Sequence, residues 1–283
     1  MSTESFMVDK LIELAVHEDL GSGDHTSLAT IPQNAFGKAR LLIKEDGIIA
    51  GIGVAEKVFK KIDSDIVFTP ILKDGDRVSK GEFAFTVEGK SISLLSAERL
   101  ALNFLQRMSG IATKTDQLVR LLNGLPTKLL DTRKTTPNMR IFEKEAVRIG
   151  GGNNHRFGLY DMILIKNNHV DFAGGIQNAL DACFKYQKMN NLNLDIEIEV
   201  RDFDELNEAL TVGGFKRIML DNFTVEAMKH AVQIIDHQFE TEASGGITET
   251  TLRSYAETGV DYISVGALTH HIKSLDMSLR AMI

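Results

Sequence analysis

The stretch Asp195–Asn222, DIEIEVRDFDELNEALTVGGFKRIMLDN, decides the fold. Its first six residues alternate acid with aliphatic. That period of two predicts a strand over Ile196–Val200 with Asp195, Glu197 and Glu199 on one face. Helical spacing follows over Phe203–Thr211. A second strand is expected at Arg217–Leu220, stopping at Asp221-Asn222. Strand, helix, strand is the unit of a parallel sheet with helices outside it.

The alternation spreads in both directions. Strands are expected at Lys128–Leu130, Met162–Ile165, Phe239–Ala243 and Tyr262–Val265, and helices at Ile176–Lys188, Thr224–Ile235 and Thr248–Thr258. The last four strands begin about 22 residues apart, a natural length for one βα unit. Each strand runs at once into polar residues or glycine: Asp131 to Lys134, Lys166 to His169, Glu199 beside Val200, Asp221-Asn222, Ser244 to Gly246, and Gly266. In a closed α/β barrel all such ends share one mouth, whereas an open sheet brings together only those at its switch point. The pattern favours a barrel, and six strands make it an incomplete one.

The first hundred or so residues read as a mixed α/β unit. Phe6–His17 has helical spacing, and the turn-forming loop Glu18–Thr26 follows it. Lys38–Ile49 reads as a strand pair turning at Asp46-Gly47. A short amphipathic helix is expected over Val54–Ile62, and strands over Ile66–Ile71 and Phe83–Val87. The hairpin between them has the turn-rich look of a lipoyl or biotinyl carrier, but its target lysine setting is missing. Leu94–Leu122 is a long helical stretch whose apolar stripe, Leu95, Leu102, Leu105 and Met108, is interrupted around Ser109-Gly110. For Arg99 and Arg107 on it, a solvated helix face is the plain reading.

Composition sets the bounds. The chain has 283 residues, 43% hydrophobic and 25% charged, with net charge −7. It is long enough for one barrel-sized domain or two smaller ones. The net charge argues against a general nucleic-acid binder. One cysteine, Cys183, forbids an intramolecular disulfide, which suits a reducing compartment. The N-terminal apolar residues are interrupted by Asp9 and Lys10, unlike a signal peptide. No apolar run is long enough to span a membrane. The cytoplasm is the expected location. Charge is unevenly spread: seven cations and four anions lie between Asp131 and His169, so this window is +3 and the remainder −10. A basic island in an acidic protein suggests a local anion site.

At the mouth, Arg133, Lys134, Arg156 and Lys166 would supply cations, and His155 and His169 could join them. Arginine forks and lysine point charges suit carboxylates and phosphates. Acids on the inward face of Asp195–Val200 would be costly unless they met cations, hydroxyls or a metal. Glu199 and Asp221 have the oxygen ligands for sugar hydroxyls or Mg²⁺. Ser244-Gly245-Gly246, between a strand and a helix expected near Thr248, and Gly266 after the next strand fit a phosphate cradle. Gly150-Gly151-Gly152 is neither a dinucleotide fingerprint nor a Walker loop. The histidines show no HExxH spacing, and no serine sits in a nucleophile elbow.

These residues resemble quinolinate phosphoribosyltransferases, also called nicotinate-nucleotide pyrophosphorylases (carboxylating). The likeness is carried by DTRKTTP at 131–137 and GGGNNHRFGL at 150–159. It extends to HEDLGSGD at 17–24, Glu98-Arg99 with SGIAT at 109–113, LIK at 164–166, LDNF at 220–223, SGGI at 244–247 and SVGALTH at 264–270. The motifs are long, ordered and spread over nearly the whole chain.

The resemblance implies the type II phosphoribosyltransferase fold: an N-terminal α/β sandwich over residues 1–111 and a six- or seven-stranded α/β barrel over 112–270, with the tail 271–283 packing on the first domain. It implies a pentosyltransferase of NAD biosynthesis, which makes nicotinate mononucleotide, pyrophosphate and CO₂ from quinolinate and phosphoribosyl pyrophosphate with Mg²⁺. It also implies a homodimer, open to higher assembly, in which Arg99 reaches the neighbouring site. Arg99, Thr132, Arg133, Lys134, His155, Arg156 and Lys166 would then bind substrate. Glu199 and Asp221 would meet ribose hydroxyls or magnesium. Ser244, Gly245, Gly246 and Gly266 would hold the 5-phosphate. Lys134, Lys166, Glu199 and Asp221 would stand nearest the chemistry.

Three residues depart from the family pattern: Asn138 for a common glycine, Ile149 for a frequent cysteine, and Asn167 for an aspartate. The last leaves the pairing of Lys166 open. Competing readings are a molybdenum-transport paralogue of the same fold, a Schiff-base aldolase using Lys166, and a nucleotide binder without catalysis.

Overall fold

The computed structural model describes residues 3–282. In chain order the elements begin with α1 (Thr3–Leu20), α2 (His25–Thr30), β1 (Phe36–Ile43), β2 (Gly47–Ile48), α3 (Ile52–Ile62) and β3 (Val67–Pro70). Next come β4 (Arg77–Val78), β5 (Phe83–Lys90), α4 (Ser91–Leu121), β6 (Lys128–Leu130), α5 (Arg140–Ile149) and β7 (Ile163–Ile165). They continue with α6 (Asn167–Ala173), α7 (Ile176–Met189), β8 (Ile196–Val200), α8 (Phe203–Val212), β9 (Arg217–Asp221) and α9 (Val225–Ile235). The last are β10 (Glu240–Ser244), α10 (Leu252–Ala256), β11 (Tyr262–Ser264), α11 (Ala267–His270) and β12 (Met277–Met282). No helix of the described residues is long and apolar enough to cross a membrane.

The chain forms two compact units. The first gathers the residues up to Asp116, Thr135–Gly151, and the segment from Leu268 onward. Its main sheet is antiparallel, in the order β12-β1-β5-β3. Helix α3 buries Ile52, Ala55, Val58 and Phe59, the spacing of one helical face. Phe59 meets Phe85 edge-on at 6.3 Å, and Phe68 lies 4.4 Å from Phe85. The start of α3 is capped from a distance, by the Asp74 carboxylate accepting the Ile52 N–H at 2.8 Å.

One expectation for this unit needs correction. Asp46-Gly47 does not turn a hairpin: β1 pairs with β5 and β12, while β2 pairs with β4. Asp46 instead accepts the Lys80 N–H. Gly47 is small because a Cβ there would meet Thr113 Oγ1 at 2.5 Å and Leu275 at 2.9 Å. The long helix agrees with the sequence reading and runs through Ser109-Gly110, where only the apolar stripe is interrupted. Gly110 admits another segment, since a Cβ would sit 2.3 Å from the Lys273 carbonyl oxygen.

The second unit holds Gln117–Lys134 and Gly152–Ala267. Its six-stranded sheet is parallel, in the order β6-β11-β10-β9-β8-β7. The α/β class and six strands agree with the sequence reading. The free edge of β6 is extended by a parallel bridge from Leu130 to Asn153. Asn153 N–H donates to Leu129 and Asp131 N–H donates to Asn153, so residues near 153 stand where a seventh strand would. From the same segment, Arg156 Nη1 reaches the Met162 carbonyl just before β7, 3.1 Å away. The two edges of the sheet are thus tied through one short loop.

Candidate active site

The strand ends bring seven of the expected residues to one cavity of about 140 Å³: Thr132, Arg133, Lys134, His155, Arg156, Lys166 and Ser244. Leu164 and Met219 supply apolar walls, and Glu242 and Ser264 complete the lining. All come from the second unit. Thr132, Arg133 and Lys134 follow β6, and Lys166 follows β7. His155 and Arg156 come from the loop that extends β6.

That loop is fixed by Asp131, which is fully buried. Its Oδ1 accepts the His155 backbone N–H at 2.8 Å. Asp161 accepts the N–H groups of Phe157 at 2.6 Å and Gly158 at 2.7 Å. Arg156 therefore sits between two anchored turns. Burial, then the nearby charge of Arg133, lowers the Arg156 pKa. An arginine remains charged even so, and an entering anion would relieve both costs.

Glu199 lies beside this cavity rather than in its lining. Its Oε2 is 3.8 Å from Lys166 Nζ, and its Oε1 accepts the Asn167 N–H at 3.3 Å. Burial raises its pKa. The question that Asn167 left open is answered here, because Lys166 finds its acid on the next strand. An aspartate at 167 would bury a carboxylate oxygen where the Asn167 Oδ1 has no hydrogen-bond donor. The Lys166 side chain is 51% exposed and faces a carboxylate, so it lacks the desolvating apolar pocket of a Schiff-base lysine.

Asp221 ends β9, and its charge reaches Glu199. Its carboxylate accepts from the Asn222 amide at 2.9 Å. Asn222 is left-handed, with φ 58°, and its N–H bonds the Ser244 carbonyl. A Cβ on Gly245 would meet Asn222 Oδ1 at 2.2 Å, and Gly245 has φ 95°. The glycine is needed for close approach as well as for its backbone conformation. Gly246 follows at φ 60°, and Gly266 follows β11. No helix begins near Thr248. The segment is a turn, and α10 starts only at Leu252. A phosphate at this end would have to rely on loop N–H groups rather than a helix terminus.

His169 is not in the cavity lining. It lies in the first turn of α6, and its Nδ1 accepts the Lys166 backbone N–H at 2.8 Å. Arg99 belongs to the first unit, on α4. So does Arg107, which pairs with the buried Glu143 and donates to Thr136 and the Thr269 carbonyl. Arg107 is a half-buried anchor, not the solvated helix residue expected.

Under the cavity lies a group that sequence reasoning only half found. Glu197 was expected on the inward face, where it would need a cation. It meets His155 Nε2 at 3.0 Å. Glu242, from β10, meets the same nitrogen at 3.4 Å. Arg217 from β9 bonds Glu242 at 3.2 Å and Glu240 at 3.0 Å, and stacks on Tyr262 at 4.0 Å. Both Glu197 and Glu242 are fully buried. The signal for Glu242 was the alternation Glu240-Thr241-Glu242, which repeats the pattern of the Asp195 strand. Ligand-type atoms of His155, Glu197 and Glu242 lie within 4.8 Å of one another, as at a metal site. Arg217 already supplies the positive charge that an ion would bring. Burial alone would lower the His155 pKa, but the two carboxylates outweigh it and push it up to about 9. Burial and the neighbouring Glu242 charge push Glu197 up to about 7.

Comparison with known proteins places this arrangement. Residues 24–109 match the family described as quinolinate phosphoribosyl transferase, N-terminal domain, and residues 111–280 match the C-terminal domain of the same family. A quinolinate phosphoribosyltransferase [decarboxylating] 1b of Nicotiana tabacum is 45% identical, covering 95% of this chain and 81% of the relative. A probable nicotinate-nucleotide pyrophosphorylase [carboxylating] of Bacillus subtilis is 43% identical, covering 95% and 92%. The solved nicotinate-nucleotide pyrophosphorylase of Francisella tularensis superposes with a TM-score of 0.91 at 40% identity, covering 100% of this chain and 98% of that one. With its parallel-sheet unit, its gathered cations and matches running from residue 24 to 280, this chain belongs to the quinolinate phosphoribosyltransferase family.

Proposed function

We propose that the protein transfers the phosphoribosyl group of phosphoribosyl pyrophosphate to quinolinate, releasing pyrophosphate and CO₂ and leaving nicotinate mononucleotide. One observation carries this reading. Arg133, Lys134, Arg156 and Lys166 converge on a single cavity at the strand ends. Such a site suits a small dicarboxylate set against a phosphorylated sugar.

The chemistry needs little from the protein beyond charge and placement. The pyridine nitrogen attacks the anomeric carbon as the bond to pyrophosphate breaks, and positive charge develops on the ribose. Preorganised groups around that centre lower the barrier. Arg133, His155 and Arg156 orient the two carboxylates, and Lys134 and Lys166 face the reacting centre. Ser244, Gly245, Gly246 and Gly266 receive the 5-phosphate. Once quaternised, the positive ring nitrogen stabilises the electron pair left on the adjacent ring carbon as CO₂ departs, and a proton from solvent then takes up that pair.

Glu199 and Asp221 fit ribose hydroxyls and also a magnesium ion. Two carboxylates close enough to feel each other's charge, at an open mouth beside the phosphate end, are the oxygen donors that Mg²⁺ takes together with substrate phosphates. When bound, the ion would neutralise the departing pyrophosphate. We place Arg99 in the neighbouring subunit's site of a homodimer. A reducing compartment such as the cytoplasm suits a chain with one cysteine.

Release of labelled CO₂ from carboxyl-labelled quinolinate, dependent on phosphoribosyl pyrophosphate, tests the reading. Folded, Mg²⁺-supplied protein that releases none refutes it.

A further inference from the structure

Beneath the anion cavity, two carboxylates converge on one histidine. Glu197 and Glu242 come from different strands, and both are fully buried. Each has an oxygen near His155 Nε2, at 3.0 Å and 3.4 Å. Glu242 is held ionised against its burial by His155 and Arg217 and only accepts, so Nε2 carries the proton. Neither Glu197 oxygen meets hydrogen-bond geometry with a donor among the described residues, and the His155 Nε2 edge is the positive group it faces. At the opposite edge of the ring, Nδ1 lies 2.7 Å from the Arg156 backbone nitrogen, which donates to it. His155 and Arg156 both line the cavity.

We propose that Glu197 and Glu242 are paired positioning residues that hold His155 as a charged member of the quinolinate pocket. The inference rests on the proposed function for the identity of the anion. With its Nε2–H committed to the carboxylates below, a protonated ring has its second N–H beside that of Arg156. A carboxylate oxygen seated there accepts from both. When the ring is neutral, Nδ1 accepts the Arg156 N–H instead. The two acids thus place a donor by charge, through a ring they orient.

Other charges bear on the ring. Arg217, on β9, bonds Glu242 and holds back its negative charge. Asp131, at the end of β6, accepts the His155 backbone N–H. Around the cavity, Arg133, Lys134, Arg156 and Lys166 oppose a further positive charge. The carboxylate pair prevails, pushing His155 up to about 9. A raised histidine keeps its charge below that pH and loses it as the pH rises through it.

The test compares wild type with Glu197→Gln and Glu242→Gln, which keep shape and remove charge. Quinolinate affinity is measured by calorimetry from pH 6 to pH 10, and the His155 imidazole is titrated by NMR. Wild-type affinity is expected to hold to about pH 9 and then fall. In the variants the fall begins about two pH units lower, and at pH 8 binding weakens by roughly tenfold, the worth of one charged hydrogen bond. The KM for phosphoribosyl pyrophosphate stays unchanged. Folded variants with the wild-type profile overturn the inference, as does an equal loss for both substrates. The NMR titration decides the cluster even where wild type releases no CO₂: a His155 that titrates at one pH in all three proteins refutes it.

Discussion

Arg217→Met puts the buried charges of the barrel to a direct test. The guanidinium is 14% exposed and is held by Glu240 at 3.0 Å, Glu242 at 3.2 Å and the Tyr262 ring at 4.0 Å. Methionine fills much of the same volume, so packing is largely kept. What is lost is the cation between Glu242 and Glu197. Removing one partner of a buried ion pair costs about 3–5 kcal/mol, because the other charge stays buried and uncompensated. For a protein of this size each kcal/mol moves the midpoint by about 2–4 °C. The expected drop is therefore about 6–20 °C, read by scanning calorimetry at pH 8.

The pH dependence fixes the cause. Without Arg217, the folded-state pKa of Glu242 rises above its unfolded value. Its penalty is absent below the unfolded value and grows as the pH climbs toward the folded one. The deficit against wild type should therefore shrink from pH 8 to pH 5. Adding Glu242→Gln should restore most of the loss at pH 8, and a cycle over the pair measures the coupling. A midpoint within 2 °C of wild type, or a deficit that grows on acidification, would refute the reasoning.

Three further outcomes follow from the site. Gly245→Ala should raise the KM for phosphoribosyl pyrophosphate at least tenfold and leave that for quinolinate nearly unmoved, since its methyl would press on Asn222 at 2.2 Å and its φ is 95°; steady-state kinetics in both substrates check this. Arg99→Ala should abolish turnover without unfolding the chain, and mixing it with Arg133→Ala should restore part of the activity through hybrid dimers; no rescue despite demonstrated subunit exchange would remove the shared-site claim. Chelation of magnesium should stop CO₂ release while quinolinate still binds by calorimetry, because the cations that orient it belong to the chain.

The barrel unit was legible because its signal is local. The alternation over Asp195–Val200 and the polar strand ends follow from the period of two and from where barrels put their sites. The first unit was harder. The pairing of β1 with β12 joins segments remote in sequence, and nothing local at Asp46-Gly47 reveals that the glycine serves close packing. Helix α5 was missed inside a window read for its charge, although Phe142, Ala146 and Val147 supply a buried face. At the site, the cations were readable from composition and order. The partnership of His155 with Glu242 was not, since it depends on how a loop and a distant strand meet.

The edge position of β12 bears on how the protein is made. Its residues pair with β1 over Lys38–Ile43, six matched positions. They leave the ribosome roughly 230 residues after their partner, which at ordinary rates of synthesis is about 10–50 s. During that interval β1 offers an open row of backbone donors and acceptors, the kind of edge on which chains aggregate. Deleting the final strand would make this transient exposure permanent. Damage to this late-made strand would then surface as a chaperone and proteolysis problem in the unit that holds β1.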